Sequence, residues 1–369
     1  MTPEGADAFH PVLESLALAQ FRSWARLNLP FDARPLAIFG ANGAGKTNIL
    51  EAASMLSPGR GLRNATPGDQ ARQGPDAGWR IRAAIGGREV ETAAPPGEPR
   101  SVTIDDKTLP QVALGGLMRV IWLTPAMDRL WTDPPESRRR FLDRITLSFH
   151  PDHAAAALTY EKAMRERNRL LKEDSRDAGW FRVLEAQMGE SGAGITRNRL
   201  DAIARIAEAQ RGAETAFPAA NLTLMPGEGS ADDPDPASIA ARLAQMRPRD
   251  FAAGRTLTGP HRADLGAHWG PQDMPAALSS TGEQKALLLS LILANARALA
   301  AERPLLLLDE VAAHLDAGRR AALYDEIAAL PAQALLTGTG RELFAALDGR
   351  AQFLHVRREG GISTAGMEG

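Results

Sequence analysis

The sequence predicts an α/β fold in two pieces, interrupted by a helical insertion. Three observations point there. A glycine-rich turn, GANGAGKT at 40–47, lies between an apolar strand-like stretch and a helix-forming run. A second apolar stretch, LLLLDE at 305–310, ends in two carboxylates. Between them the character changes at Pro134, where long runs of Ala, Glu, Arg and Leu begin. The expected division is 1–133 and 245–369 for the α/β part, and 134–244 for the insertion.

The elements follow in order. VLESLAL (12–18) and WARLNL (24–29) read as an antiparallel strand pair leading into PLAIFG (35–40), a short buried strand. The helix after the turn runs from 46 to 56 and ends before Pro58. Residues 57–78, rich in Gly, Arg, Asp and Pro, read as loop. Short strands are expected at 79–86, 88–94 and 100–106, and another at 118–125. In the insertion, helices are expected at 136–149, 151–173 and 178–212, the last weakened by Gly189, Gly192 and Gly194. PGEGSADDPDP (226–236) reads as a surface loop. Strand-like pieces return from 252, followed by a helix at 282–300. A buried strand at 304–310, a helix at 317–329 and strands at 334–339 and 352–359 complete the pattern. The tail GGISTAGMEG reads as frayed.

Composition excludes some chemistry. With no cysteine, the chain has no disulfides, no thiolate nucleophile and no cysteine-based zinc site. The first residues lack a basic region followed by an apolar core, and no 18-residue apolar run is free of charge. A cytoplasmic protein without a membrane segment is expected. The net charge of −2 neither demands nor excludes nucleic acid, because local patches decide that.

Gly40, Ala41, Asn42, Gly43, Ala44, Gly45, Lys46 and Thr47 fit G-x-x-x-x-G-K-[ST] in the strand–turn–helix context the pattern requires. Closely spaced glycines let backbone N–H groups converge on phosphate oxygens, and the helix start adds its own unpaired N–H groups. Lys46 supplies a mobile charge to the outer phosphates, and the Thr47 hydroxyl is offered to Mg²⁺. Asn42 either braces the loop or touches the end phosphate. Asp309 closes a strand of four leucines, where an unpartnered carboxylate would be costly; Mg²⁺ would offset that cost. Glu310, aimed differently, is the candidate base for an attacking water. A third motif, Ser280-Thr281-Gly282-Glu283, opens a helix and makes a second anion grip. One triphosphate does not need two grips within one domain. The simplest use of the second is in trans, across a dimer interface.

These motifs resemble those of the ABC-type ATPases of DNA repair, alongside SMC and Rad50 proteins, and within them the RecF family. The resemblance covers nearly the whole chain. PPESRRRFLD at 134–143 and GPHRADL at 259–265 are more specific to it than the phosphate loop. It implies an ABC-type, Rad50-like P-loop ATPase head with a helical arm in place of a long coiled coil. It implies a homodimer formed on ATP that binds DNA and works with RecO and RecR to load RecA in gap repair, replication fork maintenance and SOS induction. Lys46 and Thr47 would hold phosphate and Mg²⁺, Asp309 would organise Mg²⁺, and Glu310 would be the base. Ser280, Gly282 and Glu283 would cap ATP from the opposite subunit, with Asp316 near the dimer seam. Ser279 replaces a common leucine of transporter signatures. Thr337 and Thr339 stand where transporter ATPases place a histidine, and TPAMD (124–128) occupies the place of their glutamine loop. Slow hydrolysis is expected from this set, with Thr337 or Thr339 sensing the terminal phosphate weakly.

Between 138 and 172 the chain carries a surplus of five positive charges. Arg138, Arg139, Arg140, Arg165, Arg167 and Arg169 are therefore candidate contacts to the DNA backbone, in duplex, single-strand or gapped form. The alternative is a solvated helical face with internal ion pairs. Arg60, Arg63, Arg72 and Arg262 either extend that surface or, for Arg262 and His261, support the nucleotide site. Rival functions are a same-superfamily ATPase with a nuclease partner, an SMC-like clamp, and a transporter ATPase. The insertion is short and lacks sustained heptads, which disfavours the clamp.

Overall fold

The computed structural model describes residues 11–72, 76–175, 177–230, 234–270, 273–313 and 315–368. They form two compact units, one of Met1–Asp128, Glu214–Phe217 and Ile292–Gly369, the other of Arg129–Ala213 and Pro218–Leu291.

The first unit begins with the antiparallel pair β1 (Leu13–Phe21) and β2 (Trp24–Pro30), then β3 (Leu36–Phe39) and helix α1 (Lys46–Ser54). A short helix α2 (Pro67–Gln70) interrupts the expected loop, its first turn fixed by a capping box between Thr66 and Asp69. Strands β4 (Trp79–Ile85), β5 (Arg88–Ala94), β6 (Ser101–Ile104), β7 (Lys107–Thr108) and β8 (Val120–Leu123) follow. The second unit holds α3 (Pro135–Phe149), α4 (His153–Lys172), α5 (Ala178–Gln210), β9 (Ala220–Met225), α6 (Pro236–Ala253), β10 (Asp264–Trp269) and β11 (Met274–Pro275). The division between units falls inside helix α7 (Thr281–Ala298). The chain then completes the first unit with β12 (Leu305–Leu308), α8 (Ala317–Ala329), β13 (Gln333–Gly338), β14 (Gln352–Glu359) and β15 (Ile362–Glu368).

Two six-stranded sheets organise the first unit. One is antiparallel, in the order β2-β1-β4-β5-β6-β7; the other runs β15-β14-β3-β13-β12-β8. In the second sheet β14, β3, β13, β12 and β8 are parallel. Every residue of β3, β8 and β12 is buried, as strands covered on both faces require. The two sheets and α1 share one apolar core. Among the described residues no helix is long and apolar enough to cross a membrane.

The tail is not frayed. β15 pairs with β14 from Phe353↔Glu368 to Glu359↔Ile362. Gly360 and Gly361 form the two-residue connection with φ of 54° and 81°. A tight hairpin turn with positive φ at both central residues favours glycine there. Helix α5 is likewise unbroken at its glycines. A side chain at Gly189 would collide with the Pro236 carbonyl, so the missing Cβ lets α6 approach.

The insertion is larger than the sequence suggests. Residues 245–291 belong to the second unit, with which α6 and β10 are built. β10 pairs with β9 from Asp264↔Met225 to Trp269↔Ala220, and β11 adds a third strand. Asp235 caps α6 by accepting from the Ser238 N–H at 2.8 Å, so the end of the expected loop is a helix start.

Candidate nucleotide site

The phosphate loop leaves β3 at Gly40 and enters α1 at Lys46. Gly40, Gly43 and Gly45 have φ of 148°, 76° and 115°. A Cβ at Gly40 would meet the Val356 carbonyl, and one at Gly45 the hydroxyls of Ser23 and Ser363. These glycines serve close approach by the protein's own strands as well as the loop's curvature. The Lys46 ammonium donates to the carbonyls of Gly40 (2.8 Å) and Ala41 (3.0 Å), closing the loop on itself. Burial pulls its pKa down, opposed by the nearby carboxylates of Glu310 and Asp309. The Trp24 indole N–H donates to the Gly45 carbonyl at 3.2 Å, and Arg358 donates to that of Gly43 at 3.2 Å. Asn42 is exposed at the loop's tip.

The acidic strand end lies against this loop. The Thr47 hydroxyl donates to Asp309 at 2.9 Å, joining two motifs separated by 262 positions. Parallel pairing of β13 with both β3 and β12 brings them together. Thr337, at the end of β13, completes the cluster. Its buried hydroxyl donates to Asp309 Oδ1 at 2.7 Å and accepts from the Glu310 N–H at 2.9 Å. Glu310 has φ of 53°, a left-handed conformation that is strained for a residue with a side chain. Thr337 thus holds the Asp309 side chain and the Glu310 backbone, while Thr339 is exposed.

Glu51 on α1 was absent from the sequence expectations. It is fully buried and paired with Arg22 at 2.6 Å and Arg63 at 3.0 Å, and Arg63 also donates to Asn48 Oδ1 at 2.8 Å. This network ties Arg63 to the phosphate-loop helix. Its sequence signal was a lone acid inside the apolar run ILEAA.

Ser280, Gly282 and Glu283 lie in the second unit, at the start of α7. The Ser280 N–H donates to Glu283 Oε2 at 2.7 Å, and the Glu283 N–H to Ser280 Oγ at 3.4 Å, the reciprocal pattern of a capping box. Ser280 and Gly282 are exposed, and nothing crowds the Gly282 Cα. Asp316 caps α8 through the Arg319 N–H at 2.9 Å.

The six candidate DNA contacts do not form one surface. Arg167 is fully buried and ion-paired with Asp250 at 2.7 Å and Glu185 at 3.2 Å, so it cannot reach a phosphate. Arg138 is held by Asp264 at 2.7 Å, and Arg139 donates to the Ala263 carbonyl at 2.8 Å. Arg138 and Arg139 in one motif thereby grip Asp264 and Ala263 in the other, which gives PPESRRRFLD and GPHRADL a joint scaffolding role. Arg169 is exposed but flanked by Glu166 and Glu173, each at 2.6 Å. Arg140 and Arg165 are the exposed members without that double offset. His261 is also structural: Nδ1 accepts from the buried Tyr160 hydroxyl at 2.9 Å, and Nε2 lies 3.3 Å from the Thr256 carbonyl.

A protein named DNA replication and repair protein RecF from Mesorhizobium japonicum is 46% identical over 362 residues, covering 93% of this chain and 96% of that one. A relative of the same name from a Caulobacter species is 45% identical over 383 residues, covering 94% and 97%. The chain belongs to the RecF family. Its fold agrees: a solved structure of the recombination mediator RecF with ATP, in the RecFOR pathway, matches at TM-score 0.82 and 20% identity, covering 98% of this chain and all of that one. An SMC head domain from Pyrococcus furiosus matches at TM-score 0.56 and 18% identity, over 97% of this chain and 96% of its own. The architecture is therefore that of the ABC-type ATPase head shared by RecF and SMC proteins. No family model matches the chain.

Proposed function

We propose that this protein is an ATP-dependent switch of DNA gap repair, which binds ATP at the 40–47 loop, dimerises over it and hydrolyses it slowly. The observation that carries the reading is the Thr47–Asp309 hydrogen bond, with Lys46 and Glu310 beside it. Backbone N–H groups of the loop and Lys46 bind the phosphates, Lys46 exchanging its carbonyl partners for phosphate oxygens. No cluster of three or more metal-ligating side chains occurs among the described residues. Mg²⁺ does not need one: it takes one or two protein oxygens together with water and phosphate. Thr47 and Asp309 offer hard oxygens of that kind and would hold it. When bound, the ion neutralises charge on the phosphates. Glu310 accepts the proton of the attacking water. Thr337 keeps Glu310 and Asp309 apart in orientation, so that one acid faces the metal and the other the water.

Ser280, Gly282 and Glu283 cap the nucleotide of the opposite subunit, which makes dimerisation depend on ATP. The dimer binds DNA, with Arg140 and Arg165 as contacts from this chain, and acts with RecO and RecR to load RecA at gaps, supporting fork maintenance and SOS induction. Glu310→Gln tests the reading. The variant should retain ATP, lose turnover by a hundredfold or more on the scale of a lost general base (~10²–10⁴), and accumulate dimer in light scattering. Turnover close to the parent protein would remove Glu310 from the base role.

A further inference from the structure

Besides Val356 and Arg358 on β14, the C-terminal hairpin brings a buried hydroxyl of β15 to the phosphate loop. Ser363, on β15, is 2% exposed. Its hydroxyl lies 2.5 Å from the Ala44 carbonyl and 2.7 Å from Ser23 Oγ, and Asn48 Nδ2 donates to Ser23 Oγ at 2.8 Å. One hydrogen per hydroxyl fixes the direction of the chain: Asn48 donates to Ser23, Ser23 to Ser363, and Ser363 to the Ala44 carbonyl. The backbone fastens the same spot, since the Ser363 N–H donates to the Ser23 carbonyl at 2.9 Å. The packing leaves no slack, because a Cβ on Gly45 would strike both hydroxyls.

In a trans peptide the carbonyl of one residue and the N–H of the next point in opposite directions. Anchoring the Ala44 carbonyl outward therefore turns the Gly45 N–H inward. The Trp24 bond to the Gly45 carbonyl does the same for the Lys46 N–H. We propose that Ser363 is a positioning residue for nucleotide binding, which holds the Ala44–Gly45 peptide through its hydroxyl so that the Gly45 N–H faces the phosphates before they arrive. The proposal rests on the 40–47 loop being the nucleotide site. It gives the C-terminal hairpin a part in affinity, and none in the chemical step.

Ser363→Ala removes the hydroxyl and keeps the strand. Three measurements test it: hydrogen exchange of residues 40–47 in the nucleotide-free protein, calorimetric titration of Mg-ATP, and turnover at saturating ATP. The expected result is faster exchange confined to the loop and affinity about fivefold weaker, the scale of one ordinary hydrogen bond of ~1 kcal/mol. Turnover at saturation should be unchanged. Ser23→Ala should weaken affinity similarly. The double variant should be no weaker than the weaker single one, because both act through one chain of bonds. Unchanged loop exchange in Ser363→Ala, unchanged affinity, or additive losses in the double variant would each overturn the proposal. Lys46→Ala separates the two levels. If it and the parent titrate alike, the nucleotide reading fails, while loop exchange still decides whether Ser363 holds the peptide.

Discussion

Thr337 illustrates how much one hydroxyl can carry. It joins Asp309 to the Glu310 backbone at a point where Glu310 is in a strained conformation. Thr337→Val keeps the shape and removes both bonds. Turnover should fall about tenfold or more, since two hydrogen bonds of ~1 kcal/mol each orient the acids, whereas Mg-ATP affinity should change by less. Steady-state phosphate release against ATP concentration measures both. His261 gives a residue-scale prediction of another kind. Burial, aided by Arg262, Arg139 and Arg167, pulls its pKa down from 6.5 to about 4. Below pH 6.5 the unfolded chain takes up a proton that the folded protein refuses until about pH 4. Stability from this group is therefore complete above pH 6.5 and declines as pH falls toward 4. Denaturant titrations across that window should show a flatter decline for His261→Gln, whose side chain has no titrating group.

Local motifs were legible because their chemistry is contiguous. Lys46 with Thr47, Asp309 with Glu310, and Ser280 with Glu283 each sit within a few residues, and strand–turn–helix context placed them. Thr337 reads from sequence only as a weak phosphate sensor, because its bonds to Asp309 and Glu310 depend on strand register, and Ser363 stays unassigned because it follows a Gly-Gly turn that reads as a frayed tail. Arg167 had a readable signal that charge counting overrode. Tyr160, Ala163, Arg167, Leu170 and Leu171 recur at helical spacing and are all buried. At the scale of α4, this makes two classes of arginine. Arg167→Met leaves Asp250 and Glu185 inside the unit, and should cost about 3–5 kcal/mol of stability, read by denaturant unfolding. Arg140→Glu with Arg165→Glu should leave stability nearly unchanged, weaken duplex or gapped DNA binding, and flatten its salt dependence. An unchanged affinity and salt slope would make Arg140 and Arg165 solvated surface charges.

For the whole molecule, division of the chain into two units explains why the insertion was drawn too small. Residues 245–291 are tied to it by β9–β10 pairing and by Arg138–Asp264, contacts that composition does not reveal. The phosphate loop and acidic pair belong to the first unit and the Ser280 cap to the second. In the proposed dimer, a working site takes its phosphate loop from one subunit and its Ser280 cap from the other. Complementation tests it most directly. Lys46→Ala should bind no ATP, and Ser280→Arg should bind ATP as a monomer without dimerising. Mixed together, they can form one composite site with an intact loop and an intact cap, the opposite site carrying both lesions. Light scattering across mixing ratios with Mg-ATP should show dimer above the level of either variant alone, highest near equal amounts. ATP-driven dimerisation of Ser280→Arg alone, at the level of the parent protein, would contradict the two-subunit site.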